Sequence, residues 1–255
     1  MMRELTLTAL TEIPEVVRGA DLAQLLAAAI LRAGKTLEAG DVVVIAQKIV
    51  SKAEGRQVRL AEITPSPRAL ELARTVDKDP RLVELMLGES REVLRAKLGV
   101  LIVEHRLGFV MASAGIDQSN VPRADVEEVA LLLPADPDES ARRIQQDLRD
   151  AGGVEVGVLI NDSFGRAWRN GVTGVAIGVA GVPALVDLRG RPDREGRPLR
   201  VTQVAAADEL AAAASLLMGQ SDEACPAVLA RGFPYAARPS SAAELKRPRA
   251  EDLFR

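Results

Sequence analysis

The sequence predicts a mixed helix-and-sheet protein, and three observations carry that reading. The chain of 255 residues is 47% apolar but only 2% aromatic, so its core has to be built from Val, Leu, Ile and Ala. Segments with the apolar spacing of a helix alternate with short Val-rich runs that read as strands. A chain of this length also buries a substantial core without covalent staples, as one large domain or two small ones.

Residues 3–8 alternate polar groups with Leu5 and Leu7, as a strand does, and LTEIPEVVRG is a proline-containing connection. ADLAQLLAAAILRAG has helical Leu and Ile spacing and ends near Gly34. VVVIAQKIV reads as a strand that delivers Gln47, Lys48 and, just beyond it, Lys52 at its far end. The segment from Pro65 to Lys97 reads as mostly helical, with Leu70, Leu72, Leu82, Leu85, Met86 and Leu94 as its apolar contacts. GVLIVEHRLGFVMAS reads as two strands joined around a charged EHR turn. DPDESARRIQQDLRDAGG is a helix with an acidic start and a glycine stop. The apolar run VEVGVLI then leads into a polar turn, NDSFGRAWRNG, followed by the Val- and Gly-rich VTGVAIGVAGVPALVDLRG. After the charged turn RPDREGRPL, the alanines and leucines of VTQVAAADELAAAASLLMG favour helix. Residues 236–255 form a polar tail that is read either as mobile or as a clasp on a neighbouring subunit.

Composition excludes several functions. Thirty-three Lys and Arg against 36 Asp and Glu, net −3, give no track for a nucleic acid. Cys225 is the only cysteine, so no intrachain disulfide and no thiolate metal cluster can form, and its place beside Pro226 reads as structural. The opening MMRELTLTAL is not built like a secretory signal, and LAAAASLLMG is too short to span a bilayer, so the expected compartment is the cytoplasm, away from the membrane.

Two polar segments offer oxygen ligands. In AGIDQSNVP, an ionised Asp117 suits a hard divalent cation and Asn120 suits a phosphate or nucleotide, although both residues also suit an ordinary Gly/Pro turn. In INDSFGRAWR, Asp162 and Ser163 offer neighbouring oxygens while Arg166 and Arg169 offer charge-assisted contacts to an anion; a structural turn is the competing reading. Lys48 and Lys52 supply cations of the kind a polyphosphate needs, or are solvated at a strand end. Gln203 can lend its amide oxygen to a metal or to the local backbone, and Asp208 and Glu209 also suit the first turn of a helix. His105, the only histidine, reads as a polar surface residue in a turn, and Trp168 as a packing residue, with contact to a substrate ring as its competing reading.

Taken together and in order, LTEIPEV, AQKIVSKAEGR, AGIDQSN, INDSFGRAWR, TGVAIGVAG, DLRG and TQVAAADELAAAASLLMGQ resemble the coenzyme F420-0:L-glutamate ligase family, also called F420 gamma-glutamyl ligases, over residues 4–235. The resemblance implies an α+β, two-domain subunit, with residues 1–235 as the ligase region, assembled as an intertwined homodimer. It implies GTP-dependent addition of L-glutamate to F420-0 through an acyl phosphate, giving GDP and phosphate, with Mg2+ or Mn2+ and with a potassium requirement left open. By the same resemblance Leu10, Thr11, Glu12, Ile13, Gln47, Lys48, Lys52 and Asn120 border the guanine nucleotide. So does the stretch Val201, Thr202, Gln203, Val204, Ala205, Ala206, Ala207 and Asp208. Asp117 and Asp162 are the implied ligands of a first metal ion, Ser163 and Gln203 of a second, and Lys48, Lys52 and Arg166 stabilise the transferring phosphate. Ser163 stands where threonine is common in the family; it keeps the hydroxyl and loses a methyl that restricts the rotamer. A related ligase for another carboxylated metabolite and a noncatalytic guanine-nucleotide sensor are the competing functions.

Overall fold

The structure, a computed structural model, describes residues 4–118 and 128–252. The strands are β1 (Thr6–Leu10), β2 (Val42–Ala46), β3 (Gln57–Arg59), β4 (Ser90–Lys97), β5 (Val100–His105), β6 (Val110–Ala112), β7 (Val129–Leu131), β8 (Gly157–Arg166), β9 (Arg169–Ala180), β10 (Val186–Asp187), β11 (Gln203–Val204) and β12 (Ala227–Arg231). The α-helices are α1 (Leu22–Arg32), α2 (Gln47–Ala53), α3 (Pro67–Val76), α4 (Pro80–Gly88), α5 (Pro137–Gly152) and α6 (Ala206–Met218).

A five-stranded mixed sheet in the order β1-β12-β2-β8-β9 organises the chain, with β2 and β8 parallel and the other neighbours antiparallel. Val42 to Ile45 of the central strand are wholly buried, as a strand covered on both faces requires, which explains the unbroken apolar run. Helices α5 and α6 both pack on β9, and α1 packs on α5. Helix starts follow the sequence closely: Asp21, Ser66, Asp79 and Asp136 each cap a first turn with a side-chain oxygen, and proline follows directly in α3, α4 and α5.

A second cluster of buried apolar side chains, among them Leu60, Val76, Val83, Met86, Leu101 and Val103, sits between α3, α4 and the three-stranded sheet β4-β5-β6. Within this region Glu89 gathers Arg56 at 3.0 Å, Arg106 at 3.0 Å and the Nε2 of His105 at 3.4 Å. Burial alone raises the Glu89 carboxyl, but His105, Arg106 and Arg56 outweigh it and pull it down to about 2.

Several expectations are corrected here. The strand from Val42 stops at Ala46, and Gln47 opens α2, so Lys48 and Lys52 stand one turn apart on a helix. The stretch from Pro65 to Lys97 is helical only to Gly88; its last eight residues form β4, the first arm of a hairpin that turns at Leu98 and Gly99 into β5, and it is that pairing rather than the spacing within β4 itself that makes it a strand. NDSFGR is strand, the second half of β8, and the chain reverses only at Ala167 and Trp168. His105 is fully buried at the end of β5, and Trp168, with φ 63°, is 87% exposed at the tip of the β8–β9 hairpin. Residues 236–252 fold back on their own chain: Ala242 is buried, Ser241 and the Ala242 N–H both donate to Asp138, and Lys246 donates to the Leu107 carbonyl. Among the described residues no helix is long and apolar enough to cross a membrane.

Candidate active site

The parallel pairing of β2 with β8 ends at Ala46 and Asn161. Beyond it β2 turns into α2, while β8 runs on alone with β9, so the two strands diverge and open a cavity past the carboxyl end of β2. Such a position, where strand ends separate, is where open α/β sheets place ligands. Asp162 is the first β8 residue past the parallel pairing, and it lines this cavity of about 820 Å³.

Three segments converge there. From α2 come Gln47, Lys48 and Lys52; from the segment after β6 come Gly115, Ile116 and Asp117; from β8 come Asn161, Asp162, Ser163 and Phe164. Gly115 has φ 65°, and a Cβ there would lie 2.7 Å from the Met111 side chain, so the approach to Asp117 demands glycine. Asp117 is fixed by paired backbone hydrogen bonds with Leu131. Its carboxylate meets the Lys48 ammonium at 2.6 Å. Lys52, nearly buried, meets Glu15 at 2.6 Å, and Ser51 donates to the Gln47 side chain at 2.8 Å, which ties the first turn of the helix together.

Asp162 is electrostatically unusual. Burial pushes its carboxyl up to about 7; the charge of Asp117 pushes the same way, while the Ser163 backbone and Lys48 pull against both. Two carboxylates that repel each other beside a lysine are an arrangement a cation relieves. Among the described residues no three His, Cys, Asp or Glu side chains form a metal cluster. The donor set nevertheless fits a hard cation of the Mg2+ type, which takes one or two carboxylates and fills the rest of its shell from water and phosphate. Asp117, Asp162 and the Ser163 hydroxyl would hold it.

The remaining candidates are placed elsewhere. Ile13 lines the cavity, whereas Leu10 is buried in the main core and Thr11 and Glu12 are exposed beside it. Glu12 takes φ 60°, and its carbonyl accepts from Arg32 at 3.1 Å. Arg166 is exposed at the far end of β8. The stretch from Val201 to Asp208 is absent from the cavity wall; Gln203 and Val204 pair with Asp187 and Val186 in a two-stranded ribbon. Asn120 lies outside the described residues. Conversely, Glu15, Asn161 and the acidic loop Gly219–Pro226, with Asp222 and Glu223, line the cavity without having been read as site residues. Nothing local marks them: Glu15 is identified only by its contact with a lysine 37 positions away.

Comparison with known proteins gives a consistent picture. The family model for F420-0:Gamma-glutamyl ligase matches residues 11–232. Coenzyme F420:L-glutamate ligase of Methanothermobacter thermautotrophicus is 49% identical over 244 residues, 95% of this chain and 95% of that protein. The ligases of the same name from Methanopyrus kandleri, 48% identical over 93% of this chain and 92% of that protein, and Archaeoglobus fulgidus, 43% identical over 95% and 93%, are similarly complete matches.

Proposed function

The chain belongs to the F420-0:Gamma-glutamyl ligase family, and on that premise we propose that the cavity between α2 and β8 is where it joins L-glutamate to coenzyme F420-0 at the expense of GTP. The observation that carries the placement is the convergence of Asp117 and Asp162, 45 positions apart in sequence, on one cavity that also holds Lys48.

The chemistry follows from what a carboxylate lacks. Resonance and negative charge make the F420-0 carboxylate a poor electrophile. Transfer of the GTP γ-phosphoryl group to it gives an acyl phosphate and GDP, and attack by the neutral amine of L-glutamate then forms the amide and releases phosphate. A divalent cation, Mg2+ or Mn2+, supplies neutralisation of phosphate charge when bound. Lys48 and Lys52, one helical turn apart, face the cavity from a single rigid element and provide fixed positive charge where the transferring phosphoryl group develops negative charge. For Lys48 to act on phosphate it exchanges its Asp117 partner, and Lys52 exchanges Glu15. Ile13 and Gln47 border the nucleotide from the same side. Arg166, exposed on the hairpin arm, is assigned a role only where a ligand reaches that far.

We also assign the working unit as a homodimer of two-domain subunits. Exposed apolar side chains on the hairpin and on α6, Trp168, Val172 and Leu216, support it, as does Val201 before β11. A second chain also gives a physical route by which the stretch Val201–Ala207, off the cavity of its own chain, borders a nucleotide. Sedimentation that shows only a 27.2 kDa species under active conditions would reject the dimer.

The test of function is a mass-resolved reaction with F420-0, L-glutamate, GTP and Mg2+ or Mn2+. The expected outcome is a product heavier by glutamate residues, with GDP released in step. GDP release that needs a different carboxylated acceptor would move the assignment to another substrate, and nucleotide binding without any turnover would make the protein a sensor.

A further inference from the structure

Asp208 lies in the first turn of α6, where a carboxylate needs no further explanation. Its hydrogen bond does. Asp208 Oδ1 accepts from the backbone N–H of Ala176 at 2.9 Å, 32 positions earlier in the chain. Ala176 is the residue at which β9 departs from regular pairing. Ile160 faces Gly178, but the next residue, Asn161, faces Ala176, so Ile177 is an extra residue with no partner in β8, and Asp162 consequently faces Val175. An extra residue of this kind bends the ladder and raises its local twist. The bulge is wholly buried, with Ala176 and Ile177 each 1% exposed, so an unsatisfied N–H there would be costly.

The same end of α6 is seated on β9 with almost no tolerance. A Cβ on Gly174 would lie 2.4 Å from the Ala211 carbonyl and 2.7 Å from Asn161 Oδ1. Ala211 is one turn after Asp208, so both contacts belong to one helix face. At its other end α6 reaches β8 directly, through Met218 Sδ, 3.4 Å from Asn161 Nδ2. Asn161, the residue immediately before Asp162, is therefore held between α6 and the bulge.

From this geometry we infer that Asp208 is a positioning residue for Asp162, holding the β9 bulge through the Ala176 N–H and so fixing how β8 presents its carboxylate to the cavity. The inference rests on the reading of Asp162 as a cation ligand, and it replaces a nucleotide contact for Asp208 with a contact inside its own chain.

The experiment compares Asp208→Asn, Asp208→Ala and Asp208→Glu in the full-length protein. Mn2+ binding is measured without nucleotide, by the loss of the free-ion paramagnetic resonance signal, and the KM for GTP is measured separately. Asn keeps an acceptor oxygen at the same distance and is expected to bind Mn2+ within about threefold of the parent. Ala is expected to weaken Mn2+ by about tenfold or more, the range seen when the supports of metal ligands are removed, while the KM for GTP stays put. Amide exchange at Ala176 should accelerate in the Ala variant and stay near the parent rate in the Asn variant. Should the Ala variant not fold, Glu decides: it keeps the charge but moves the carboxylate by a methylene, and positioning requires that it weaken Mn2+. The proposal is overturned if Asn is as damaging as Ala, if Glu behaves like the parent, or if Ala raises the KM for GTP and leaves Mn2+ affinity alone. Asp162→Asn, run in parallel, separates the two claims: unchanged Mn2+ affinity there would refute the metal reading itself, and Ala176 exchange would still judge the bulge.

Discussion

Asp162 in the cavity and Glu89 in the second core are both enclosed carboxylates, and their surroundings treat them oppositely. Glu89 is drawn down to about 2 because Arg56, Arg106 and His105 outweigh the cost of burying it. Asp162 is driven up to about 7 because burial and Asp117 outweigh Lys48. The first arrangement is complete within the chain and holds the β4-β5-β6 sheet to the end of α4 and to Arg56 beyond α2. The second sets Asp162 beside the like charge of Asp117 in surroundings that disfavour its ionised form, the setting in which a bound cation stabilises a carboxylate. A carboxylate held ionised by three neighbouring cationic or hydrogen-bonding groups fits a structural role, and one whose ionised form is disfavoured in a cavity is a candidate for chemistry.

The comparison breaks if the two residues fail to separate by readout. Asp162→Asn is expected to lower turnover by about a hundredfold to a thousandfold, the usual cost of losing one electrostatic stabiliser of a transition state, with the thermal midpoint of the metal-free protein unchanged or higher. An unchanged rate and metal dependence would remove Asp162 from the centre of the site. Glu89→Ala should do the reverse. It leaves Arg56 and Arg106 without their shared carboxylate, so a destabilisation of about 3 kcal/mol is expected, seen as a midpoint lower by roughly 10 °C. Turnover of the fraction still folded should be near that of the parent.

Acid sharpens the same contrast. Because the folded state depresses the Glu89 carboxyl from its ordinary 4.5 to about 2, its stabilisation is complete above about pH 4.5 and fades as pH falls towards 2. The linked change, on the order of 3 kcal/mol from the size of the shift, should appear as a steep loss of stability across that window in denaturant titrations. Glu89→Gln should flatten it, and an equally steep acid limb in that variant would show that Glu89 is not its source. The smallest effect is expected at Trp168. Its ring is largely exposed, so Trp168→Ala should change chain stability by about 0.5 kcal/mol or less while loosening the proposed dimer, as read by sedimentation.

Much of the scaffold is legible in the sequence, and the misreadings share one cause. The helices after Asp21 and Asp136 carry their own caps and periodicity, so local pattern suffices for them. Ser90–Lys97 reads as helix by itself because pairing with β5, not its own spacing, makes it a strand. NDSFGR reads as a turn because polar residues and glycine dominate it, yet β9 pairs with it across the full hairpin. His105 reads as a surface residue until Glu89 is seen beside it.

The sequence by itself determined the chemical inventory and the family: two acidic segments, a pair of lysines four positions apart, and motifs in a fixed order. It also determined those elements whose signals lie within a few residues, because caps, prolines and apolar spacing act locally. Only the tertiary structure decided that Asp117 and Asp162 share a cavity, that Val201–Asp208 stands away from it, and that Glu15 and the Gly219–Pro226 loop help to wall it. Those facts depend on strands β2 and β8 parting at Ala46 and Asn161. That divergence is set by pairing between residues more than a hundred positions apart, which no local pattern encodes.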